Sequence, residues 1–205
     1  MDRGAGSFEV VEELLKIKNL IAIRGNHDDC FRDSIITGRN LLYSQGGRET
    51  LLSYTRSTDC NNDPTKIPEK HKDFYINKQI DYYIDENNNL YVHGGFDRHQ
   101  YIKEQESQTL MWDRDLILSA IAFDKMKSEY KFKTKDNFNK VFLGHTPTIY
   151  WGEEEFNQNC KDGSIITADV LEKRMTKPVN VGNGLIWNLD TGCGKGDFPL
   201  TAILS

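Results

Sequence analysis

The chain has 205 residues, a formal net charge of −5, 38% hydrophobic and 28% charged residues. That length builds one full-sized core, so a single domain over 1–205 is expected. No apolar run approaches the roughly 20 residues of a membrane span, and the start does not read as a signal peptide. An acidic chain argues against a nucleic-acid surface. The four cysteines (Cys30, Cys60, Cys160, Cys193) show no paired spacing, which fits reduced thiols and a cytoplasmic location. An anionic substrate would then need a local positive field, from metal ions and a few arginines.

Val10, Val11, Leu14, Leu15 and Ile17 follow Ser7 at helical spacing, so the pattern predicts an amphipathic helix over roughly 7–18 with Ser7 as its N-cap. Leu20-Ile21-Ala22-Ile23 reads as a short buried strand that stops at Gly25. A polar helical segment follows, with a further helical stretch over 49–54. Asp, Asn, Thr and Pro over 59–68 predict an exposed loop. Phe74, Ile76, Ile80, Tyr83 and Ile84 suggest the buried side of a helix over 72–84. After a turn at 87–89, Leu90-Tyr91-Val92 is a strand delivering His93. A helix is expected over 110–126, then a buried strand, Val141-Phe142-Leu143, delivering Gly144-His145-Thr146. Gly182-Asn183-Gly184 supplies the positive φ angles of a tight hairpin between 179–181 and 185–189. A closing strand is read over 199–204. Helices alternating with buried strands, then hairpins, give an α/β sandwich whose functional residues sit just past strand ends.

Three of the five histidines fall in short islands at such ends: Gly25-Asn26-His27-Asp28, Val92-His93-Gly94-Gly95 and Gly144-His145-Thr146. A fourth island, Asp2-Arg3-Gly4, opens the chain. Asn and His beside Asp and Arg are the components of a metal site that handles phosphate. Taken singly, each is ordinary. A lone histidine is more often a hydrogen-bonded structural group, an Asp-Arg pair near a terminus is usually a surface ion pair, and Gly25, Gly94 and Gly144 can simply end strands. His71 and His99 are read as structural, and Trp112 as a packing residue.

In order and content the islands resemble the calcineurin-like metallophosphoesterases, in the phosphoprotein phosphatase branch. The likeness is closest to the small bacterial and phage serine/threonine phosphatases and the symmetrical diadenosine tetraphosphatases. Trp112-Asp113-Arg114 resembles that family's Trp-x-Arg element, and Asp190-Thr191-Gly192-Cys193 with Leu200-Thr201-Ala202 resembles its closing strands. The resemblance implies an αββα sandwich with mixed sheets and a centre of two divalent metal ions, Mn²⁺ ahead of Fe or Zn²⁺. It makes Asn26, His93 and His145 ligands of one ion. His27 becomes the acid that protonates the leaving oxygen, with Asp2 orienting it, and Arg3 and Arg114 become the clamps on phosphate oxygens.

The family's first motif, Asp-x-His-Gly, and the Gly-Asp before its Asp-Arg-Gly have no counterpart here. The expectation is therefore a fold lacking its first strand and helix, with at most one well-liganded metal site. A longer natural protein is expected to carry the rest; a true truncation leaving a non-catalytic remnant is the alternative. The resemblance implies hydrolysis of phosphate monoesters on phosphorylated protein, with dinucleoside polyphosphates as the rival substrate. Weak or absent turnover is expected of the chain as written. The substrate rim is expected at 59–71, 95–108 and 151–161, with no nucleic-acid or membrane partner.

Overall fold

The strands expected at 90–92 and 141–143 form on buried apolar runs in a computed structural model that describes residues 4–39, 41, 46–126, 129–148, 177–193 and 200–202. The run at 20–23 is not buried as expected, with Ile21 exposed and Ala22 and Ile23 half-buried. Asp2, Arg3 and the segment 151–161 lie outside the described residues, as do positions 199, 203 and 204 of the closing strand expected over 199–204, whose described part, 200–202, is not strand. The chain is a mixed α/β protein packed as two compact units, Met1–Tyr83 and Ile84–Ser205. Among the described residues no helix is long and apolar enough to cross a membrane.

The first unit begins with α1 (Ser7–Leu14). Gly6, not Ser7, is its N-cap, and the Ser7 hydroxyl donates to the Gly4 carbonyl at 2.9 Å. The helix ends before the predicted limit because Lys16 and Ile17 turn to carbonyls three residues back, Glu13 and Leu14, each at 3.1 Å. Strand β1 (Ala22–Ile23) lies parallel to β2 (Gln79–Ile80), with Ala22 opposite Gln79. Between them come α2 (Asn26–Thr37), stopped by left-handed Gly38 at φ 73°, α3 (Gly47–Ser57) and α4 (Glu69–Asp73). Val11, Phe31, Leu51, Tyr54, Phe74 and Tyr75 form the centre of this unit's core.

His71 is fully buried there, as a structural residue. Its Nδ1 lies 2.9 Å from the Tyr54 hydroxyl, its Nε2 lies 2.7 Å from Glu12 Oε1, and Phe8 stacks on its ring at 4.9 Å. One side chain thus ties α1, α3 and α4 together, each satisfied hydrogen bond contributing about 1 kcal/mol.

Two expectations need correction here. The segment 59–68 is not simply exposed: Cys60, Pro64 and Ile67 are buried, and Pro64–Lys66 form a 3₁₀ turn begun by Asp63, whose carboxylate accepts from Thr65 N at 3.0 Å. The helix read over 72–84 stops at Asp73, passes through a π turn (Phe74–Lys78) and becomes strand. The apolar spacing serves the turn's buried side, Phe74 and Tyr75, while pairing with β1 claims Gln79 and Ile80.

Strand β3 (Tyr82–Ile84) turns into β4 (Asn89–Val92) and opens a five-stranded sheet in the order β3-β4-β5-β7-β6. Strands β4, β5 (Lys140–Leu143) and β7 (Ile186–Asn188) run parallel, and β6 (Val179–Val181) pairs antiparallel with β7. The hairpin is the one its glycines predicted, with Gly182, Asn183 and Gly184 at φ 65°, 53° and 91°. The single helix expected over 110–126 is two, α5 (Ser107–Trp112) and α6 (Asp115–Lys125). The break has a local cause: the Asp113 carboxylate accepts from Leu116 N at 3.0 Å and starts a new helix.

Candidate metal centre

Parallel pairing of β4 with β5 sets Tyr91 opposite Phe142, so both strands end at the same edge of the sheet. Gly144 N then donates to the His93 carbonyl at 2.9 Å. Both imidazoles arrive together: His93 Nε2 lies 3.3 Å from His145 Nδ1, with ring centroids 5.1 Å apart. His145 has φ 65°, left-handed for a residue that is not glycine. A Thr146 N–H to Gly144 carbonyl bond of 2.6 Å closes a three-residue turn around it. Such a backbone costs on the order of 1–3 kcal/mol and persists only where its surroundings hold it. Here the next strand does so. Asn188, fully buried, donates from Nδ2 to the Thr146 carbonyl at 2.6 Å, and Thr148 N donates to the Asp190 carbonyl at 2.7 Å.

This pair fits a transition-metal ion. Two imidazole nitrogens bound to one ion at about 2.1 Å each lie about 3.0–3.4 Å apart, and the observed separation is 3.3 Å. Neutral rings are also the donors that Mn²⁺, Fe and Zn²⁺ accept. Among the described residues, no group of three or more His, Cys, Asp or Glu is placed to hold an ion.

The glycines after His93 have a specific purpose. A Cβ on Gly94 would stand 2.9 Å from the Met111 carbonyl carbon and 3.0 Å from Trp112 N, and one on Gly95 would overlap the Asp113 carboxylate. Gly94 N donates to the Leu110 carbonyl at 2.8 Å. This close approach brings Trp112 edge-on to His145, with centroids 5.8 Å apart. Trp112 is therefore a wall of the histidine pair as well as a packing residue. Arg114 follows two residues later, exposed at the N-cap of α6. Burial holds the Asp113 carboxyl above the usual carboxylate range, against the hydrogen bonds from Leu116 and Asp115.

Asn26 and His27 belong to the first unit, as the opening residues of α2. Gly25 N donates to Asp28 Oδ2 at 3.0 Å and Asp29 N to the Gly25 carbonyl at 2.9 Å, which fixes the turn that presents them. Asn26 is buried and His27 half-buried. Behind them Arg24 donates from Nη2 to the Gln79 carbonyl at 3.0 Å and lies 3.5 Å from Asp81. Sequence reasoning assigned no role to Arg24, Asp28, Gly95, Asp113 or Asn188. Asp28 and Asp113 carried a usable signal, an Asp placed to cap the first turn of a helix.

A family model described as calcineurin-like phosphoesterase matches residues 1–171. No curated protein matches the chain.

Proposed function

We propose that this chain, which belongs to the calcineurin-like phosphoesterase family, is a metal-dependent phosphoesterase of the serine/threonine phosphatase type. The observation that carries this reading is the pair of imidazole nitrogens 3.3 Å apart at the ends of two adjacent parallel strands. His93 Nε2 and His145 Nδ1 are the nitrogen donors, and Mn²⁺ is the ion proposed. When bound, a divalent ion supplies Lewis acidity toward phosphoryl oxygen and lowers the pKa of water.

The remaining work falls to side chains. Trp112 covers one edge of His145 and limits the approach of water to that ring. Arg114 is proposed to grip phosphate oxygens, where a planar fork holds two at once. Asn26 and His27 keep the roles their motif implies, amide donor and general acid, and Asp2 and Arg3 those of orienting carboxylate and second clamp. Each is tested by its own alanine variant.

The experiment is phosphate release from a phosphoserine peptide and from diadenosine tetraphosphate, with and without Mn²⁺. The reading predicts slow, Mn²⁺-dependent release that favours the peptide and is lost in His27→Ala and His145→Ala. Release indifferent to Mn²⁺ or to His145 contradicts the metal chemistry. Faster cleavage of the dinucleotide contradicts the protein-phosphatase assignment and leaves the phosphoesterase one standing.

A further inference from the structure

Most described cations of the first unit are matched by a carboxylate, as in Lys16–Glu13, Arg32–Asp29, Lys70–Glu12 and Lys78–Asp73. The second unit differs. Among the described residues, Arg98, Lys131, Lys133, Lys135 and Lys140 form no side-chain ion pair, although Asp97 and Asp136 lie on the same loops. Those carboxylates serve the backbone instead: Asp97 accepts from His99 N at 2.9 Å and Asp136 from Ile102 N at 2.8 Å.

The segment 131–135 alternates strictly. Lys131, Lys133 and Lys135 are exposed, and Phe132 and Thr134 are buried. The ridge is rigidly anchored. Phe132 packs edge-on to Phe123 at 5.5 Å, and against Gly182 so closely that a Cβ there would stand 3.0 Å from its ring. Arg98 lies over the same ring at 4.7 Å and donates to the Lys133 carbonyl at 3.2 Å, while Lys135 N donates to the Arg98 carbonyl at 2.8 Å. Beside the ridge runs a groove of about 350 Å³, lined by Lys131, Lys133 and the amides of Asn137, Asn139 and Asn183. It lies at the start of β5 and β7, whereas His145 follows the end of β5.

We propose that this groove docks an extended acidic peptide segment of a partner protein, at the opposite end of β5 from the histidine pair. In extended chain, side chains on one face repeat every second residue, about 6.6 Å apart. Lys131 and Lys133, exposed at alternate positions and both lining the groove, are complementary in charge to carboxylates at alternate positions of a peptide lying alongside. Asn139 Nδ2 already donates to the Asn87 carbonyl and Asn183 Oδ1 accepts from Phe132 N, so Asn139 Oδ1 and Asn183 Nδ2 are the amide atoms offered to a peptide backbone. The aromatic rings lining the groove, Phe132 and Phe138, are only 5% and 6% exposed and offer no face for the base stacking that single-stranded nucleic acid uses, and the exposed rings of Tyr101 and Tyr130 lie outside its lining. A net charge of −5 further disfavours a long polyanion over a short acidic stretch. Because Phe132 already fixes the ridge, little ordering is required on binding.

The test reads binding rather than turnover, so it stands apart from the phosphatase reading. The intact chain is titrated against a fluorescein-labelled peptide alternating Glu with Ser, and against an oligothymidylate of equal charge, by fluorescence anisotropy. The peptide is expected to bind, more weakly as salt rises. Lys131→Glu with Lys133→Glu is expected to lower its affinity about tenfold or more. Lys18→Glu with Arg39→Glu, which changes net charge equally at exposed cations of the first unit, is expected to leave it within about twofold. Unchanged melting confirms the variant's fold; if melting shifts, Lys131→Ala with Lys133→Ala replaces it under the same expectation. No peptide binding, equal loss in both double variants, or tighter binding of the oligothymidylate overturns the proposal.

Discussion

His93 and His145 meet at 3.3 Å although 52 positions separate them in the chain. Strand register accounts for this, because β4 and β5 are parallel neighbours that end together and each is followed at once by a histidine turn. The pair's geometry therefore depends on whatever holds the strand ends, above all the glycines after His93 and the turn at His145.

Gly94→Ala is expected to cost about 1–3 kcal/mol, because its Cβ would press on backbone atoms that cannot rotate away. Those atoms belong to Met111 and Trp112, at 2.9 and 3.0 Å. Gly144→Ala meets nothing nearer than 3.7 Å and is expected to be close to neutral. Thermal melts of the two variants check the ordering; equal melting points would show that the contact at Gly94 does not govern this turn.

Burial pushes the His71 pKa below its ordinary value of 6.5, against the pull of Glu12. The unfolded chain then takes up a proton that the folded one resists. Stability from this site is present above 6.5 and is lost as pH falls from there through the lowered folded value. The groups facing the ring are Glu12, Tyr54 and Phe8, with Lys70 beside Glu12. Glu12 is held below its ordinary 4.5 by hydrogen bonds from Lys70 and His71, so its own loss comes at more acidic pH. Urea unfolding from pH 7 down to about 5 should show falling stability in the wild type and a flatter profile in His71→Gln. Parallel profiles would assign the slope to another group.

Asp85 organises the turn between β3 and β4. Its Oδ1 accepts from Asn87 N at 2.9 Å and Asn89 N at 2.8 Å, and its Oδ2 from Asn89 Nδ2 at 2.9 Å and the Tyr91 hydroxyl at 3.1 Å. Asp85→Ala strips four donors of their acceptor and is expected to cost about 1–3 kcal/mol, against about 1 kcal/mol for Tyr91→Phe. Urea midpoints that rank Tyr91→Phe as the worse variant would contradict this.

The strand ends that carry His93 and His145 were legible in the sequence for a physical reason. A short apolar run followed by Gly and His can be read without tertiary knowledge, and Leu90–Val92 and Val141–Leu143 are such runs. So is a hairpin whose Gly182-Asn183-Gly184 demands positive φ. The stretch after Asp73 was not legible, because Phe74, Ile76, Ile80 and Ile84 satisfy a helical repeat that a π turn and two short strands satisfy equally. Only pairing with β1 decides it. Nor could the reason for the two glycines after His93 be read locally, since the atoms that exclude a Cβ belong to residues 111–113. The Asn188 bond that braces the Thr146 carbonyl spans 42 positions and has no local signature.

The central claim is that His93 and His145 together hold a divalent ion. The direct measurement is equilibrium dialysis against Mn²⁺ with metal analysis, on the wild type, on each histidine→Ala variant and on His71→Gln as a histidine outside the centre. The account predicts about one ion per wild-type and His71→Gln chain, and a loss of affinity of at least about tenfold in either His93→Ala or His145→Ala. Wild-type binding that survives removal of both histidines, or no Mn²⁺ uptake by a folded wild type, would contradict it.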